Sequence, residues 1–208
     1  MKKRPTGREG RQRSRSGKPS QTTHTEILYG FHSVYEALKA GRRNIETLYL
    51  SQTRSPGRGR KLTDLAEQQG IRLETVPAEK LDKLTWEANH QGVAARAGLL
   101  PVEKAGQSGD WGQETDRSCF ALVLENIEDP HNLGALIRTA VCCGVDYIFY
   151  PKDRSAAPSA AVSRSSAGAM EHARMFVMTN TASVLRSLKD AGFWISGLDA
   201  DGTTPLYK

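Results

Sequence analysis

Residues 124–140 read LENIEDPHNLGALIRTA, and the fold of the second half of the chain follows from this stretch. The apolar residues 120–124 have the length and composition of a buried strand, and residues 125–130 interrupt that run with an acidic, proline-containing turn. A helix follows, because the apolar residues after the turn recur at helical spacing and Gly144 lies where a C′ glycine is expected. The pattern predicts a strand, a sharp turn and a helix with Asn132 as its N-cap.

The same helix places a cation close to its N-terminus. Arg138 falls on the face opposite the apolar one, and the first turn contains Gly134 and Ala135, which have almost no side chain. We therefore expect the backbone there to be approachable, as in an anion or nucleotide site. The usual fingerprints are absent: no G-x-G-x-x-G follows a strand and no G-x-x-x-x-G-K-[ST] occurs. An ordinary dinucleotide or ATP site is thus disfavoured.

The positive charge of the chain is concentrated in its first residues. Eight of the 29 Lys and Arg residues lie in residues 1–20 against Glu9 alone, so this segment carries +7 and the remainder carries −1. Residues 1–25 contain no Leu, Ile, Val or Phe, and we expect a disordered basic tail. Such a tail favours nucleic-acid contact through counterion release, although a solvated extension without a partner stays open.

The remaining composition indicates a soluble globular protein. Of 208 residues 38% are apolar, which is compatible with a packed core, and no apolar run approaches the length of a membrane span. The three cysteines, two of them adjacent at Cys142 and Cys143, form no disulfide framework and have no zinc spacing. We expect reduced thiols, no metal and a cytoplasmic location.

Residues 26–100 alternate strand and helix in the order βαβαβ, followed by a short helix and a last strand. A basic loop is expected between the second strand and the second helix, where SQTRSPGRGRK supplies four cations: Arg54, Arg58, Arg60 and Lys61. The loop either grips RNA phosphates or is simply solvated, and the residues favour neither reading. At the turn NHQGVAA, His90 is more typical of a structural turn residue than of a catalyst.

Residues 101–118 are polar, glycine-bearing and aperiodic, which indicates a linker. Strands spaced by helices then recur through residues 119–208 and predict a parallel sheet, with a last strand at residues 193–198. Ligands bind such sheets at the carboxyl ends of the strands. The turn after the next strand, PKDRSA, brings Lys152 and Arg154 to the same edge as the turn that begins at Glu125.

The segments ENIEDPHNLGALIRTAVCCGV, PKDRSA and SSAGAMEH closely resemble motif 1 and its flanks in the SpoU branch of the SPOUT RNA methyltransferases. Within that branch the chain is most similar to the RlmB group, which 2′-O-methylates a guanosine of large-subunit (23S) ribosomal RNA. YGFHSVYEAL and NHQGVAA resemble the ends of the family's L30e-like substrate-binding domain. The resemblance implies an α/β protein with an L30e-like RNA-binding domain ahead of a parallel-sheet SPOUT methyltransferase domain.

The resemblance assigns catalytic roles to Asn132 and Arg138. An arginine is a poor base because its pKa exceeds about 12, so we expect Arg138 to orient the target phosphate and stabilise alkoxide charge. Asn132 either contacts the ribose or serves as a cap alone. RNA contacts are expected at the four cations of the basic loop and at five further residues: His90, Gln91, His131, Lys152 and Arg154. Glu125 is a weaker candidate in the same turn.

The family binds S-adenosylmethionine with two further motifs in a C-terminal trefoil knot, and neither follows residues 201–208, DGTTPLYK. The resemblance therefore implies a methyltransferase domain truncated before its knot, no cofactor-binding residues in this chain and a pocket mainly beyond Lys208. The expected function is S-adenosylmethionine-dependent 2′-O-methylation of ribosomal RNA by a homodimer. A non-catalytic RNA-binding protein is the alternative, and a small-molecule nucleotide-binding protein is a third, weaker one.

Overall fold

The computed structural model describes residues 24–52, 56–106, 111 and 118–205. Most of the predicted basic tail, together with Arg54, lies outside these residues. In the described part, no helix is both long enough and apolar enough to cross a membrane.

The first unit is a four-stranded sheet between helices. Its β1, β2, β3 and β4 pair in the order β1-β4-β2-β3, with β2 and β3 parallel and β4 antiparallel to both of its neighbours. Apolar clusters lie on the two faces of the sheet, one under α1 and α2 and one under α3. The elements are β1 Thr25–Tyr29, α1 Phe31–Ala40, β2 Ile45–Ser51, α2 Pro56–Gln68, β3 Arg72–Val76, α3 Ala78–Leu84 and β4 Val93–Gly98.

Helix α2 begins earlier than the sequence pattern predicts. Arg60 and Lys61 lie within it, and not in the basic loop expected after β2. Pro56 is its first residue, a position where proline is favoured because its missing N–H would be unpaired anyway. Burial of Leu62 and Ala66 against the sheet outweighs the low helix propensity of the glycines near the start.

The second unit is the predicted parallel sheet, with strand order β5-β8-β7-β6 and every pair parallel. Its core lies on both faces, with Phe149 and Phe176 fully buried in the centre. A 3₁₀ turn at Ala169–His172 follows α5. The other elements are β5 Glu103–Lys104, β6 Ala121–Val123, α4 Pro130–Cys142, β7 Tyr147–Pro151, α5 Ala160–Ser165, β8 Met175–Met178 and α6 Thr181–Asp190.

The structure adds detail to one expectation for the second unit and differs from another. The segment expected to be a linker contributes β5, which pairs with β8, and Trp111, which is 4% exposed against a cluster of aromatic rings. The strand expected at residues 193–198 is not formed: Trp194 is 99% exposed and Leu198 83%. An apolar alternation makes a strand only where a neighbouring strand takes up its hydrogen bonds, and among the described residues no strand pairs with this segment.

The two units are packed against each other. Helix α1 and strand β1 of the first unit contact α5 and the 3₁₀ turn of the second. The contact includes buried polar side chains as well as apolar ones, so it fixes one unit against the other.

Candidate functional site

The turn after β6 is closed by Asp129, and the N-cap expectation for Asn132 is wrong. The Asp129 carboxylate accepts a hydrogen bond from the backbone N–H of His131 at 3.0 Å, and Pro130 is the first residue of α4. An aspartate followed by proline satisfies both N-terminal preferences and places a negative charge at the positive end of the helix dipole. Asn132 is therefore the third residue of the helix, with its amide free for another role.

The glycine in the first turns of α4 serves helix packing, which contradicts the expected open approach to the backbone. Gly134 is buried, and a Cβ there would lie 1.9 Å from Ser165 Oγ of α5. Ser165 Oγ also lies 3.0 Å from the carbonyl oxygen of Pro130. The start of α4 is thus clamped from one side by α5.

The exposed side of α4 carries an imidazole, an amide and a guanidinium. His131, Asn132 and Arg138 are all exposed, and within the described chain the Arg138 side chain has no ion pair or hydrogen bond. His131 and Arg138 are seven residues apart and so lie on one face, two turns or about 10 Å apart along the axis. Arg138 is therefore available to an external anion, as its predicted outward position requires.

A second turn lies against the first, as the parallel sheet predicts. The backbone N–H of Ala156 donates to the carbonyl oxygen of Ile127 at 2.7 Å, and Ser155 Oγ donates to the same oxygen at 3.2 Å. Lys152 and Arg154 in this turn are exposed, and Arg154 has a positive φ of 53°. The edge therefore combines the α4 side chains with two further cations.

The carboxylate of Glu125 already has a hydrogen-bond partner at this edge. Its Oε2 accepts a 2.7 Å hydrogen bond from Thr181 Oγ1, at the start of α6. The carboxylate thus ties the turn after β6 to the turn after β8, and its predicted contact with a ligand is not required to explain its position.

A shallow pocket of about 100 Å³ lies between the start of α6 and Trp111, whereas pockets that bury small ligands hold roughly 300–1,000 Å³. S-adenosylmethionine does not fit there. The described residues also contain no group of three or more His, Cys, Asp or Glu placed to hold a metal.

The predicted RNA contacts of the first unit are arranged around the start of β4. His90 Nδ1 accepts from the N–H of Gly92 at 2.9 Å, so the ring proton is on Nε2, which lies 2.9 Å from Asp82 Oδ1. Both ring nitrogens are used within the turn, which favours the structural reading of His90. Gln91 is exposed, and its Oε1 accepts from the N–H of Phe31 at 3.4 Å.

Of the four cations predicted in the basic loop, two can be described. Arg60 and Lys61 are exposed on α2. Arg58 lies on the same helix but its side chain is outside the described residues, as is the whole of Arg54.

Two residues at these surfaces escaped the sequence reasoning. Trp86 is 91% exposed, with a φ of 56°, in the loop that leads to His90. Arg164 of α5 lies across Gly30, where a Cβ would be 2.8 Å from the arginine Nε. Arg164 lies next in the chain to Ser165, so one short helix reaches from the first unit to the start of α4. Gly30 has a positive φ of 86°, but a glycine in the sequence does not by itself reveal that an arginine lies against it.

Two family models match the chain. The model for the RNA 2′-O ribose methyltransferase substrate-binding domain matches residues 27–103, and that of the SpoU rRNA methylase family matches residues 119–208.

Curated relatives match most of the chain. A 23S rRNA (guanosine-2′-O-)-methyltransferase RlmB of Nitrosomonas europaea is 36% identical over 184 residues, which is 88% of this chain and 70% of that protein. The putative TrmH family tRNA/rRNA methyltransferase YacO of Bacillus subtilis is 33% identical over 190 residues, 87% of this chain and 76% of that protein.

Solved structures of similar fold include an AdoMet-bound rRNA methyltransferase from Sinorhizobium meliloti, with a TM-score of 0.61 and 20% identity. An RNA 2′-O ribose methyltransferase matches with a TM-score of 0.60 and 22% identity. The alignments cover 80% and 82% of this chain and 59% and 61% of those proteins, so the chain spans about 60% of their length. These likenesses establish the fold.

Proposed function

The chain belongs to the SpoU rRNA methylase family, and we propose that it methylates the 2′-hydroxyl of a guanosine ribose in 23S ribosomal RNA. S-adenosylmethionine supplies the methyl group in this chemistry. The observation that carries the proposal is Arg138, an exposed guanidinium without a partner in the described chain, on the first helix after the turn that bears the family motif.

Arg138 acts through its charge. A guanidinium is a cation with five N–H donors and no acceptor, so its role here is to bind negative charge and not to take the proton of the ribose hydroxyl. Bound to the phosphate next to the target ribose, it fixes the sugar and stabilises the negative charge that develops on the 2′-oxygen. The hydroxyl proton leaves to that phosphate or to a water molecule.

Asn132 and His131 extend the same surface. Because Asp129 already caps α4, the Asn132 amide is free to donate to the ribose and accept from it. His131 lies on the same face as Arg138 and adds a second donor for the RNA backbone. Glu125 supports them by holding the turn through Thr181.

The RNA extends from this edge to the first unit. Lys152 and Arg154 meet phosphates close to the target nucleotide, while Arg60, Lys61 and Gln91 contact the RNA on the substrate-binding domain. The RNA contacts expected from the sequence at Arg54 and Arg58 stay part of this proposal. His90 contributes by shaping its loop. Trp86 offers an exposed ring on which an unpaired base can stack.

Methyl transfer to a 23S rRNA transcript, with radiolabelled S-adenosylmethionine, tests the function. A 2′-O-methyl group blocks alkaline cleavage of the adjacent phosphodiester, so one uncut position should appear in the hydrolysis ladder. Arg138→Ala should abolish that signal, whereas Arg186→Ala, an exposed arginine on α6, should not. Label on a base, or full turnover by Arg138→Ala, would contradict the proposal.

A non-catalytic RNA-binding role is the second candidate, since the described pocket of about 100 Å³ is too small for the methyl donor. Calorimetric titration of the protein with S-adenosylmethionine distinguishes the two. Saturable binding supports the enzyme, and RNA binding without any donor binding supports the second candidate.

We also propose that the protein acts in the cytoplasm as a homodimer. Phe120, 54% exposed beside β6, and Leu136, 37% exposed on α4, offer apolar surface for a second copy. Sedimentation equilibrium should give twice the chain mass, and a monomer at micromolar concentration would refute the dimer.

A further inference from the structure

The segment SSAGAMEH, residues 165–172, contains a charged residue that the proposed chemistry does not use. Glu171 has no solvent exposure, yet it comes from the methylase domain and binds an arginine of the substrate-binding domain. Arg43 donates to its carboxylate through Nε at 2.6 Å and through Nη2 at 3.1 Å. The paired geometry is the strong, orientation-fixing form of this interaction.

The pair is part of a larger network across the two domains. Ser163 Oγ donates to Glu171 Oε1 at 2.6 Å, and Ser33 Oγ lies 2.6 Å from Ser163 Oγ. Arg43 also pairs with Glu26, whose other oxygen accepts from the backbone N–H of Ala160 at 2.7 Å. Both carboxylates are therefore bound from both domains.

The ion pairs favour the charged form of the buried Arg43. Burial by itself lowers the pKa of Arg43. Hydrogen bonds and charge from Glu171, and then from Glu26, together have the larger effect, so the pKa of Arg43 is raised. The neighbouring Arg42 has a lowered pKa because of burial, and its Nη1 donates to the carbonyl oxygen of Ala173 at 2.6 Å. Arg42 and Arg43 of the substrate-binding domain thus bind the methylase domain at two adjacent points.

The two domains approach each other closely at Gly168, in the same segment. Gly168 has a φ of 83°, and a Cβ there would lie 2.6 Å from the carbonyl oxygen of His32 and 2.7 Å from Glu36 Cβ. At the rim, His172 Nε2 lies 2.8 Å from Glu36 Oε2. Any other residue at position 168 would push α1 away.

The opposite side of this segment contacts the catalytic helix. Ser165 Oγ lies 3.0 Å from the Pro130 carbonyl, and α5 packs so tightly on Gly134 that no side chain fits between them. Residues 159–172, here named the coupling segment, therefore hold the substrate-binding domain on one side and the start of α4 on the other.

We propose that the coupling segment fixes the register between RNA held on the substrate-binding domain and the methyl-transfer side chains on α4, with Arg43 and Glu171 as positioning residues. The inference rests on the proposed function. Neither residue touches the RNA. A shift of the two domains by about 1 Å is enough to misplace a ribose and reduce the rate roughly a hundredfold, because the reacting atoms require close alignment.

The test compares variants of the network in the full chain. Glu171→Gln removes one charge, and the double variant Arg43→Met with Glu171→Leu removes both while keeping the volume of the buried side chains. Ser33→Ala removes one hydroxyl and keeps all charges, so it folds even if a charge variant does not. Arg72→Met is the matched control, because it breaks an exposed ion pair with Glu74 in the same domain.

Domain orientation is measured as the distance between nitroxides at Glu67→Cys on α2 and Lys189→Cys on α6, both exposed positions. The native cysteines are first replaced by serine. We expect one narrow distance distribution in the parent and in Arg72→Met, a broad one in Glu171→Gln and in the double variant, and a smaller broadening in Ser33→Ala.

Methylation is measured in parallel. RNA affinity should stay within about twofold of the parent, while the single-turnover rate at saturating RNA falls at least tenfold in the broadened variants. Unchanged distances in the folded variants would overturn the proposal, and so would broadened distances with an unchanged rate. If the parent protein transfers no methyl group, the proposed function fails, and the distances alone still decide whether the network orients the domains.

Discussion

The domain interface and the α4 turn use the same kinds of side chain in opposite environments. Arg43 at the interface has no exposed side-chain surface and binds two carboxylates, whereas Arg138 on α4 is exposed and has no partner in the described chain. A buried, fully paired guanidinium serves geometry, and an exposed one is left for a ligand. The difference predicts that interface variants lose stability, while variants of the exposed α4 side chains lose only activity.

The largest effect should come from Glu171→Ala, which leaves Arg43 buried with only one of its two carboxylate partners. Removing one member of a buried ion pair costs about 3–5 kcal/mol, because an uncompensated charge remains. Urea unfolding measures the loss. Glu74→Ala, which breaks exposed pairs with Arg72 and Lys80, should cost less than about 1 kcal/mol. Equal losses in the two variants would remove the distinction between the regions.

Arg138→Ala should show the reverse behaviour. Loss of one preorganised donor to developing charge lowers such rates roughly 10²–10³-fold, or about 3–4 kcal/mol of barrier. The free energy of unfolding should change by less than about 0.5 kcal/mol, because the side chain is exposed and unpaired. Methyl incorporation and urea unfolding are measured on the same preparation. A loss of stability comparable to the loss in the barrier would mean that Arg138 is structural.

Gly134→Ala sharpens the comparison inside α4, because its new methyl would collide with Ser165 Oγ. Overpacking of this kind costs about 1–3 kcal/mol, and Ser165→Gly in the same chain should recover part of it. Gly57→Ala is the control: this glycine lies in α2 with open space around it, and the change should stabilise by about 0.5–1 kcal/mol. Equal melting shifts in both would contradict the close packing.

Trp86→Ala should weaken RNA binding without affecting folding. Stacking of one base on an aromatic ring contributes about 1–3 kcal/mol, and we expect the low end, near fivefold in Kd. Fluorescence anisotropy with a labelled single-stranded 23S rRNA fragment measures it. Trp194→Ala removes an equally exposed ring from the methylase domain and should leave Kd unchanged. The same loss in both variants would indicate non-specific contact.

A last effect should appear only in alkaline solution, at Tyr150. Burial raises the pKa of its hydroxyl to about 12, so the unfolded chain loses this proton first, near pH 10. The stabilisation of the folded state by this protonated hydroxyl is complete below pH 10 and is lost as the pH rises towards 12. In Tyr150→Phe the free energy of unfolding should therefore depend less on pH in that range than in the parent, and Tyr35→Phe is the control. An identical pH slope in parent and Tyr150→Phe would contradict the assignment.

Local patterns predicted most elements of the fold. Helix α1 and the parallel order of β6, β7 and β8 follow from apolar spacing, since burial on one face is a property of neighbouring residues. The start of α2 and the N-cap of α4 were predicted incorrectly, because in each case several neighbouring residues could begin the helix. The strand expected at residues 193–198 was wrong because a strand depends on its neighbours in the sheet.

The candidate site was predicted only as far as its motif reaches. Lys152 and Arg154 follow β7 at the expected edge, because the carboxyl ends of parallel strands meet there, and Arg138 is exposed on α4. The packing of α5 on Gly134 and the pairing of Arg43 with Glu171 were not predicted. These contacts join residues 31 and 128 positions apart in the chain, and no local periodicity encodes them.

The double pairing of Arg43 limits how freely this protein can be taken apart and recombined. In a chimera that joins this substrate-binding domain to another methylase domain, Arg43 and Glu26 come with the graft. Arg43 then requires a glutamate of the acceptor domain at the position of Glu171. Without it, the graft buries an arginine that has only one of its two carboxylate partners. Exchanging the RNA specificity of such enzymes therefore requires the coupling segment to be transplanted together with the domain it holds.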